Sequence, residues 1–253
     1  MNSKSSVDEI RRRFDADVDR FSNLDIGQSA TIDSPLAMDL VTEAAAAVTP
    51  NAKAVLDIGC GAGNYTLKLL QRLPALDVTL VDLSQPMLDR AVERITPTTS
   101  GRVRATQGDI RQVELARESL DIVLAASVLH HLRSDDEWRA VFGKIFAALA
   151  PGGSFWVFDL IESQLPAVQA MQWRRYGEYL ARLKDAAYRD TVFQYVEAED
   201  TPRSLPFQLD LLRGVGFSQI EVLHQNGPFA AFGGVKASGS GRRQPPRHGD
   251  AEG

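Results

Sequence analysis

The chain has 253 residues, 44% hydrophobic and 24% charged, a composition that supports one well-packed domain with additions and excludes wholesale disorder. Lys and Arg number 28 against 33 Asp and Glu, a net charge of −5, so no nucleic-acid partner is expected. One cysteine (Cys60), no apolar run near the ~18 residues of a bilayer span, and a charged opening unlike a secretory leader together predict a cytoplasmic protein with no membrane partner.

Residues 1–34, which contain Arg11-Arg12-Arg13-Phe14-Asp15, read as a helical lid segment ahead of a domain over 35–236. Ala54-Val55-Leu56-Asp57-Ile58 predicts a buried strand, and 64–73 a helix. A second strand is expected at 78–82 and a second helix at 86–95, with Pro86 suited to its first turn. A weaker third strand covers 102–106. The fourth, 120–126, is almost wholly apolar, as a strand covered on both faces should be. Trp138, Val141, Phe142, Ile145, Phe146 and Leu149 recur at spacings of three and four, which marks an amphipathic helix stopped by Ala150-Pro151-Gly152-Gly153. A fifth strand follows at 154–160. Alternation of this kind predicts a parallel sheet with helices on both faces.

Beyond it, 163–190 reads as helical, inside a lid insertion over 163–195 that carries Trp173, Tyr176, Tyr179 and Tyr188. A helix over 204–213 is capped by Gly214 and Gly216. Two apolar runs, 217–223 and 229–235, are joined by His224-Gln225-Asn226-Gly227-Pro228, which predicts a terminal antiparallel hairpin. Gly, Ser, Pro and Arg dominate from Ala237, so 237–253 is expected to be a disordered tail.

The stretch Val55-Leu56-Asp57-Ile58-Gly59-Cys60-Gly61-Ala62-Gly63-Asn64 sets three glycines between a strand and a helix, where a ligand can approach the backbone. A dinucleotide fingerprint would need its third glycine at Asn64 or Thr66, which argues against a nicotinamide-dependent oxidoreductase. The spacing is G-x-G-x-G, with an aspartate two places before the first glycine. This resembles the first motif of class I S-adenosylmethionine-dependent methyltransferases. Further family motifs follow in order. Asp82 ends the second strand 19 residues after Gly63, Gly108-Asp109-Ile110 follows the third, Leu149 to Gly153 matches a Leu-x-Pro-Gly-Gly turn, and Gly216-Phe217 opens the terminal pair.

The resemblance implies a doubly wound, mostly parallel seven-stranded sheet of Rossmann-like α/β type, with a terminal antiparallel hairpin and a helical lid. It implies S-adenosyl-L-methionine as cofactor and methyl transfer, by in-line displacement, to a small-molecule acceptor. The expected cofactor-binding residues are Asp57, Gly59, Cys60, Gly61, Gly63, Asp82, Leu83, Met87, Asp109, Ile110 and Ser127. Asp82 would take the ribose hydroxyls, since a carboxylate accepts two O–H bonds at once. Asp109 would accept from the adenine amine, while Ile110 packs on the ring. Asp57, a carboxylate on a buried strand and costly without a partner, would help to place the methionine end.

A sulfonium methyl is already electrophilic, so a base is needed only where the acceptor must lose a proton. His130 and His131, two of only four histidines, follow the fourth strand, where open parallel sheets place their chemistry. One of the pair is expected to act as base or orienting group. Some quinone O-methyltransferases bind metal here through Glu-x-x-Glu-His. This chain reads Ser127-Val128-Leu129-His130-His131, without either carboxylate, so no metal is expected. Phe14, Phe21, Trp173, Tyr176 and Tyr179 are expected to wall an apolar or aromatic acceptor pocket. A second reading is carboxy-S-adenosylmethionine synthase, to which Arg13-Phe14-Asp15 and the closing Gly-Phe are similar, with Arg189 ahead of Asp200-Thr201 as the carboxylate-holding arginine.

Overall fold

A computed structural model describes residues 4–23 and 28–238. Its seven strands are β1 (Ala54–Ile58), β2 (Asp77–Asp82), β3 (Val103–Gln107), β4 (Leu120–Ala126), β5 (Leu149–Leu160), β6 (Phe217–Asn226) and β7 (Phe229–Lys236). They form one sheet in the order β3-β2-β1-β4-β5-β7-β6. The first five run parallel, and β7 enters antiparallel between β5 and β6. The order reverses beside β1, so the loops after β1 and β4 face one crevice.

Each central strand is buried on both faces because successive side chains point oppositely. Val55, Ile122, Leu124, Trp156 and Phe158 pack on one face, against α3 (Ser34–Val48), α4 (Asn64–Leu70), α5 (Gln85–Ile95) and α7 (Pro166–Leu183). Leu56, Val123, Ala125, Phe155 and Val157 pack on the other, against α6 (Asp135–Ala148) and α9 (Leu205–Val215). The expected mostly parallel sheet with a terminal antiparallel pair is present.

Four details differ from the sequence reading. The Ala150-Pro151-Gly152-Gly153 segment does stop α6, but it lies inside β5, where the register jumps from Leu120↔Leu149 to Ile122↔Ser154. The terminal hairpin turns on Gly227-Pro228 alone, so His224 to Asn226 belong to β6. Gly214 lies within α9, and only Gly216, with φ at 116°, closes it. The helical insertion is two helices, α7 and α8 (Ala186–Glu199); it breaks at Asp185, whose carboxylate accepts from the Tyr188 amide at 2.7 Å and starts the second. The tail expectation for 239–253 lies outside the described residues, as do 1–3 and 24–27 of the lid segment.

Two short helices precede the domain, α1 (Val7–Asp15) and α2 (Val18–Ser22). Ser6 and Glu9 start α1 reciprocally: the Ser6 hydroxyl accepts from the Glu9 amide and the Glu9 carboxylate accepts from the Ser6 amide. This segment is tied to the end of α8. Arg13 pairs with Glu199 and lies 3.6 Å over the Tyr195 ring, Lys4 donates to the Asp200 carbonyl at 2.6 Å, and Arg133 donates to the Ser5 carbonyl at 3.0 Å.

Candidate functional site

The glycine loop leaves β1 in the left-handed backbone region, with Gly59 at φ 63° and Gly61 at 49°. A Cβ on Gly59 would lie 2.5 Å from Val128 Cγ2, whereas one on Gly61 would meet nothing within 4 Å. Gly59 therefore lets the loop after β4 approach, and Gly61 opens onto space. The amides of Gly59 and Cys60 donate to the Val81 carbonyl at 2.7 and 3.2 Å. The Gly61 amide donates to Asp82 Oδ2 at 2.8 Å, and the Ser84 amide to Asp82 Oδ1 at 2.9 Å. Asp82 thus braces the loop as well as facing it. Burial pushes its carboxyl above the usual range, opposed by these amide bonds.

Asp57 lies beneath the loop, where Thr66 Oγ1 donates to it at 2.7 Å. Burial first, then the charge of Asp82, push its carboxyl up to about 7, against the Thr66 bond. The neighbouring Tyr65 hydroxyl is buried and has no hydrogen-bond partner.

A cavity of about 280 Å³ runs along this surface. Asp57, Gly59, Cys60, Gly61, Asp82 and Leu83 line it, as do Met87, Asp109, Ile110 and Ser127. Gly63 does not. Its φ is 84°, and a Cβ there would come 2.7 Å from Ile95 Cδ1 and 3.3 Å from Ala91 Cβ, so this glycine serves the packing of α4 on α5. Gly63→Ala should cost about 1–3 kcal/mol of stability by urea denaturation, the range for a strained backbone position, while ligand affinity of the folded fraction stays within about threefold.

Asp109 lines the cavity with its carboxylate already engaged. Arg111 Nε lies 3.0 Å from each carboxylate oxygen, and the Arg111 amide donates to Oδ1 at 2.9 Å. Burial works against its ionisation, but Arg111 prevails and holds the carboxyl below the usual range. Arg111 was not among the expected residues. Ser127 closes β4 at φ 54°, unusual for a residue other than glycine, and its amide donates to the Phe158 carbonyl at 2.8 Å. That conformation turns the chain from β4 into the histidine pair.

A second cavity, about 230 Å³, adjoins the first. Phe14, Phe21 and Tyr176 line it, with Tyr188 and Tyr195. Trp173 and Tyr179 do not: Trp173 packs edge-on to Phe193, and the Tyr179 hydroxyl donates to the Ser29 carbonyl at 2.7 Å. Phe14, Phe21, Gln28, Ser127 and His131 line both cavities.

The two histidines differ sharply. His130 Nδ1 hydrogen-bonds Asp159 Oδ1, and the Leu129 amide donates to Asp159 Oδ2 at 2.7 Å. Burial alone would depress the His130 pKa, but Asp159 and Asp200 outweigh it and raise it. His131 lies against Phe14 and its pKa is driven well down, by burial first and by the charge of His130 next. Asp200, at the end of α8, brings Oδ1 to 3.3 Å from His131 Nδ1 and 3.6 Å from His130 Nε2. Neither was expected as a partner of the histidines: Asp159 went unnamed, and Asp200 was named only as the residue beyond Arg189.

Residues 55–153 match a family model described as a methyltransferase domain. An uncharacterized methyltransferase of Mycobacterium bovis is 32% identical over 111 residues, 44% of this chain and 52% of its own length. The chain belongs to the class I S-adenosylmethionine-dependent methyltransferase family. That family's cofactor is S-adenosylmethionine. A carboxy-S-adenosyl-L-methionine synthase of Chromohalobacter salexigens is 30% identical over 187 residues, 70% of this chain and 66% of that protein. The crystal structure of the [4+2]-cyclase SpnF superposes with a TM-score of 0.63 at 15% identity, covering 94% of this methyltransferase-family chain and 99% of SpnF. The chain spans about half the length of the Mycobacterium relative, and the SpnF likeness carries the fold alone.

Proposed function

We propose that this protein transfers the methyl group of S-adenosylmethionine to a small apolar or aromatic acceptor held in the second cavity. The observation that carries the reading is the shared wall: His131, Ser127 and Phe14 border both cavities, so a ligand along the glycine loop would meet an acceptor there. The first cavity fits the cofactor. Gly61 leaves space where a Cβ would stand, Asp82 presents a buried carboxylate, and Tyr65 lines the wall beside Asp57. Asp82 would hold the ribose hydroxyls, Asp57 and Tyr65 the amino-acid end, and Ile110 with Leu83 the adenine faces. Asp109, committed to Arg111, retains only its unused lone pairs for the adenine amine.

The bound cofactor supplies an electrophilic methyl group on a sulfonium. The chain aligns the acceptor and excludes water. Aromatic rings of α1, α2, α7 and α8 do the excluding, which supports reading 1–34 and 163–195 as a lid over the 35–236 domain. The histidine cluster would engage the acceptor's reacting atom.

The carboxy-S-adenosylmethionine synthase reading has support in the Chromohalobacter relative. Against it, Arg189 pairs with Asp190 at 2.8 Å and lines neither cavity. Methyl-labelled cofactor incubated with phenolic, enolic and amine acceptors tests the choice. Label in an acceptor supports methyl transfer, and a cofactor gaining a carboxyl group with prephenate refutes it. In the same preparation Asp82→Ala should weaken S-adenosylhomocysteine binding by about 1–3 kcal/mol, the range for charged hydrogen bonds left unmade. Unchanged affinity by calorimetry would sink the cofactor placement.

A further inference from the structure

We propose that His130, His131 and Asp200 form a binding site for a divalent first-row transition-metal ion that opens onto the second cavity. Its meaning for catalysis rests on the methyl-transfer reading; its existence does not.

The donor atoms already stand at ligand spacing. One nitrogen from each histidine and one Asp200 oxygen all lie within 4.8 Å of one another. Asp200 Oδ1 is 3.3 Å from His131 Nδ1 and 3.6 Å from His130 Nε2. Two donors each about 2.1 Å from a tetrahedral ion sit about 3.4 Å apart. The closer pair is not a hydrogen bond. His131 Nδ1 and Asp200 Oδ1 are both buried without a hydrogen-bond partner, and an ion between them would satisfy both.

The surroundings are those of a ligated histidine. Asp159 binds His130 Nδ1 and also accepts from the Leu129, His130 and Leu160 amides, which fixes the ring with Nε2 toward Asp200. A carboxylate on the far nitrogen is the usual support of a metal-bound imidazole. Two buried carboxylates, Asp159 and Asp200, also supply a charge that a divalent ion would balance. Neighbouring cations are committed elsewhere: Arg13 to Glu199 and the Tyr195 ring, Arg133 to the Glu199 and Ser5 carbonyls and the Thr201 hydroxyl.

Two imidazoles and one carboxylate select Zn2+, Fe2+ or a neighbour over Mg2+ or Ca2+, which demand more oxygen. All three residues line the second cavity, so the remaining coordination positions face the acceptor. An acceptor with an oxygen donor, such as a phenol or enol, is the class that would fill them.

The test is calorimetric titration of chelator-treated, desalted protein with Zn2+, repeated by visible absorption with Co2+. The expected result is saturable binding at about one ion per chain, with intense Co2+ bands. His131→Ala and Asp200→Asn should each lose at least about tenfold in affinity, and the positioning variant Asp159→Asn about 10- to 100-fold. His224→Gln, whose ring bonds Asp33 far from the cluster, should bind as the parent does. Two isosteric changes, Asp200→Asn and Asp159→Asn, keep the test alive if His131→Ala fails to fold. No saturable isotherm in the parent, or unchanged affinity in His131→Ala and Asp200→Asn, overturns the site. Methyl transfer is assayed with and without chelator in the same preparations. Transfer by protein that binds no metal overturns the metal and keeps the methyl-transfer reading. Binding that follows the three variants, without transfer to any acceptor, supports the site and counts against that reading.

Discussion

His131→Ala is expected to lower methyl transfer by about 100- to 10,000-fold, the range for loss of a group that activates the acceptor. Affinity for S-adenosylhomocysteine should stay within about threefold of the parent. The expectation follows from position. His131 borders both cavities, whereas His130 lines only the second. His131 is packed edge-on to Phe14, and its buried, unpartnered Nδ1 faces Asp200 Oδ1 at 3.3 Å, where an ion reaching the acceptor would bind it. His130 is spoken for: Asp159 holds its ring, and its carbonyl accepts from the Thr201 amide at 2.7 Å. In metal-free protein His130→Ala should therefore lower the melting temperature before it changes chemistry in the folded fraction. Steady-state kinetics at saturating acceptor, beside calorimetry and thermal melts, separates the two. Turnover within about threefold of the parent in His131→Ala would mean that alignment alone does the work.

What the sequence made legible was whatever a backbone position or a strand end forces on residue type. The left-handed turns at Gly59 and Gly61 admit little but glycine, so the loop is legible from residue types and their spacing alone. Asp82 and Asp109 entered through the resemblance to methyltransferase motifs, and both line the cavity along the glycine loop. Gly63 lies outside the cavity lining for an instructive reason. Its spacing is that of a ligand-facing glycine, but its missing side chain makes room for Ile95, which only the packing of two helices reveals.

The partners of the histidines were out of reach of spacing arguments. Asp200 comes from the end of α8, and its approach depends on how the helical insertion folds back over the sheet. Asp159 did carry a signal. It is a carboxylate inside the apolar run Phe155 to Leu160, and the argument that singled out Asp57, that a buried strand carboxylate must have partners, applied to it equally. The helix α3 went unread because apolar residues lie on both its faces: Ala37, Met38, Val41 and Ala45 are buried while Leu36 and Val48 are exposed, so the hydrophobic contrast is weak.

Asp159→Ala should be the most destabilising single change in the site, about 3–5 kcal/mol, as for removal of one member of a buried ion pair. The side chain is 0% exposed and gathers four groups: the amides of Leu129, His130 and Leu160 and the His130 ring. Alanine leaves those donors facing a void, and each buried donor without an acceptor costs about 1–3 kcal/mol. The total falls below their simple sum because the His130 ring can shed its proton once its carboxylate is gone, and water can enter from the second cavity. The damage should also spread along a defined path. Asp159 ties the turn after β4 to the end of β5, so its loss frees the segment that carries both histidines. Asp159→Asn keeps the volume and one acceptor oxygen but turns an N–H toward the amide donors, so it should lie between the parent and alanine. Urea denaturation, with chelator present so that no bound ion contributes, measures all three. A loss below about 1 kcal/mol for alanine, under the cost of even one orphaned donor, would show that these bonds do not hold the turn.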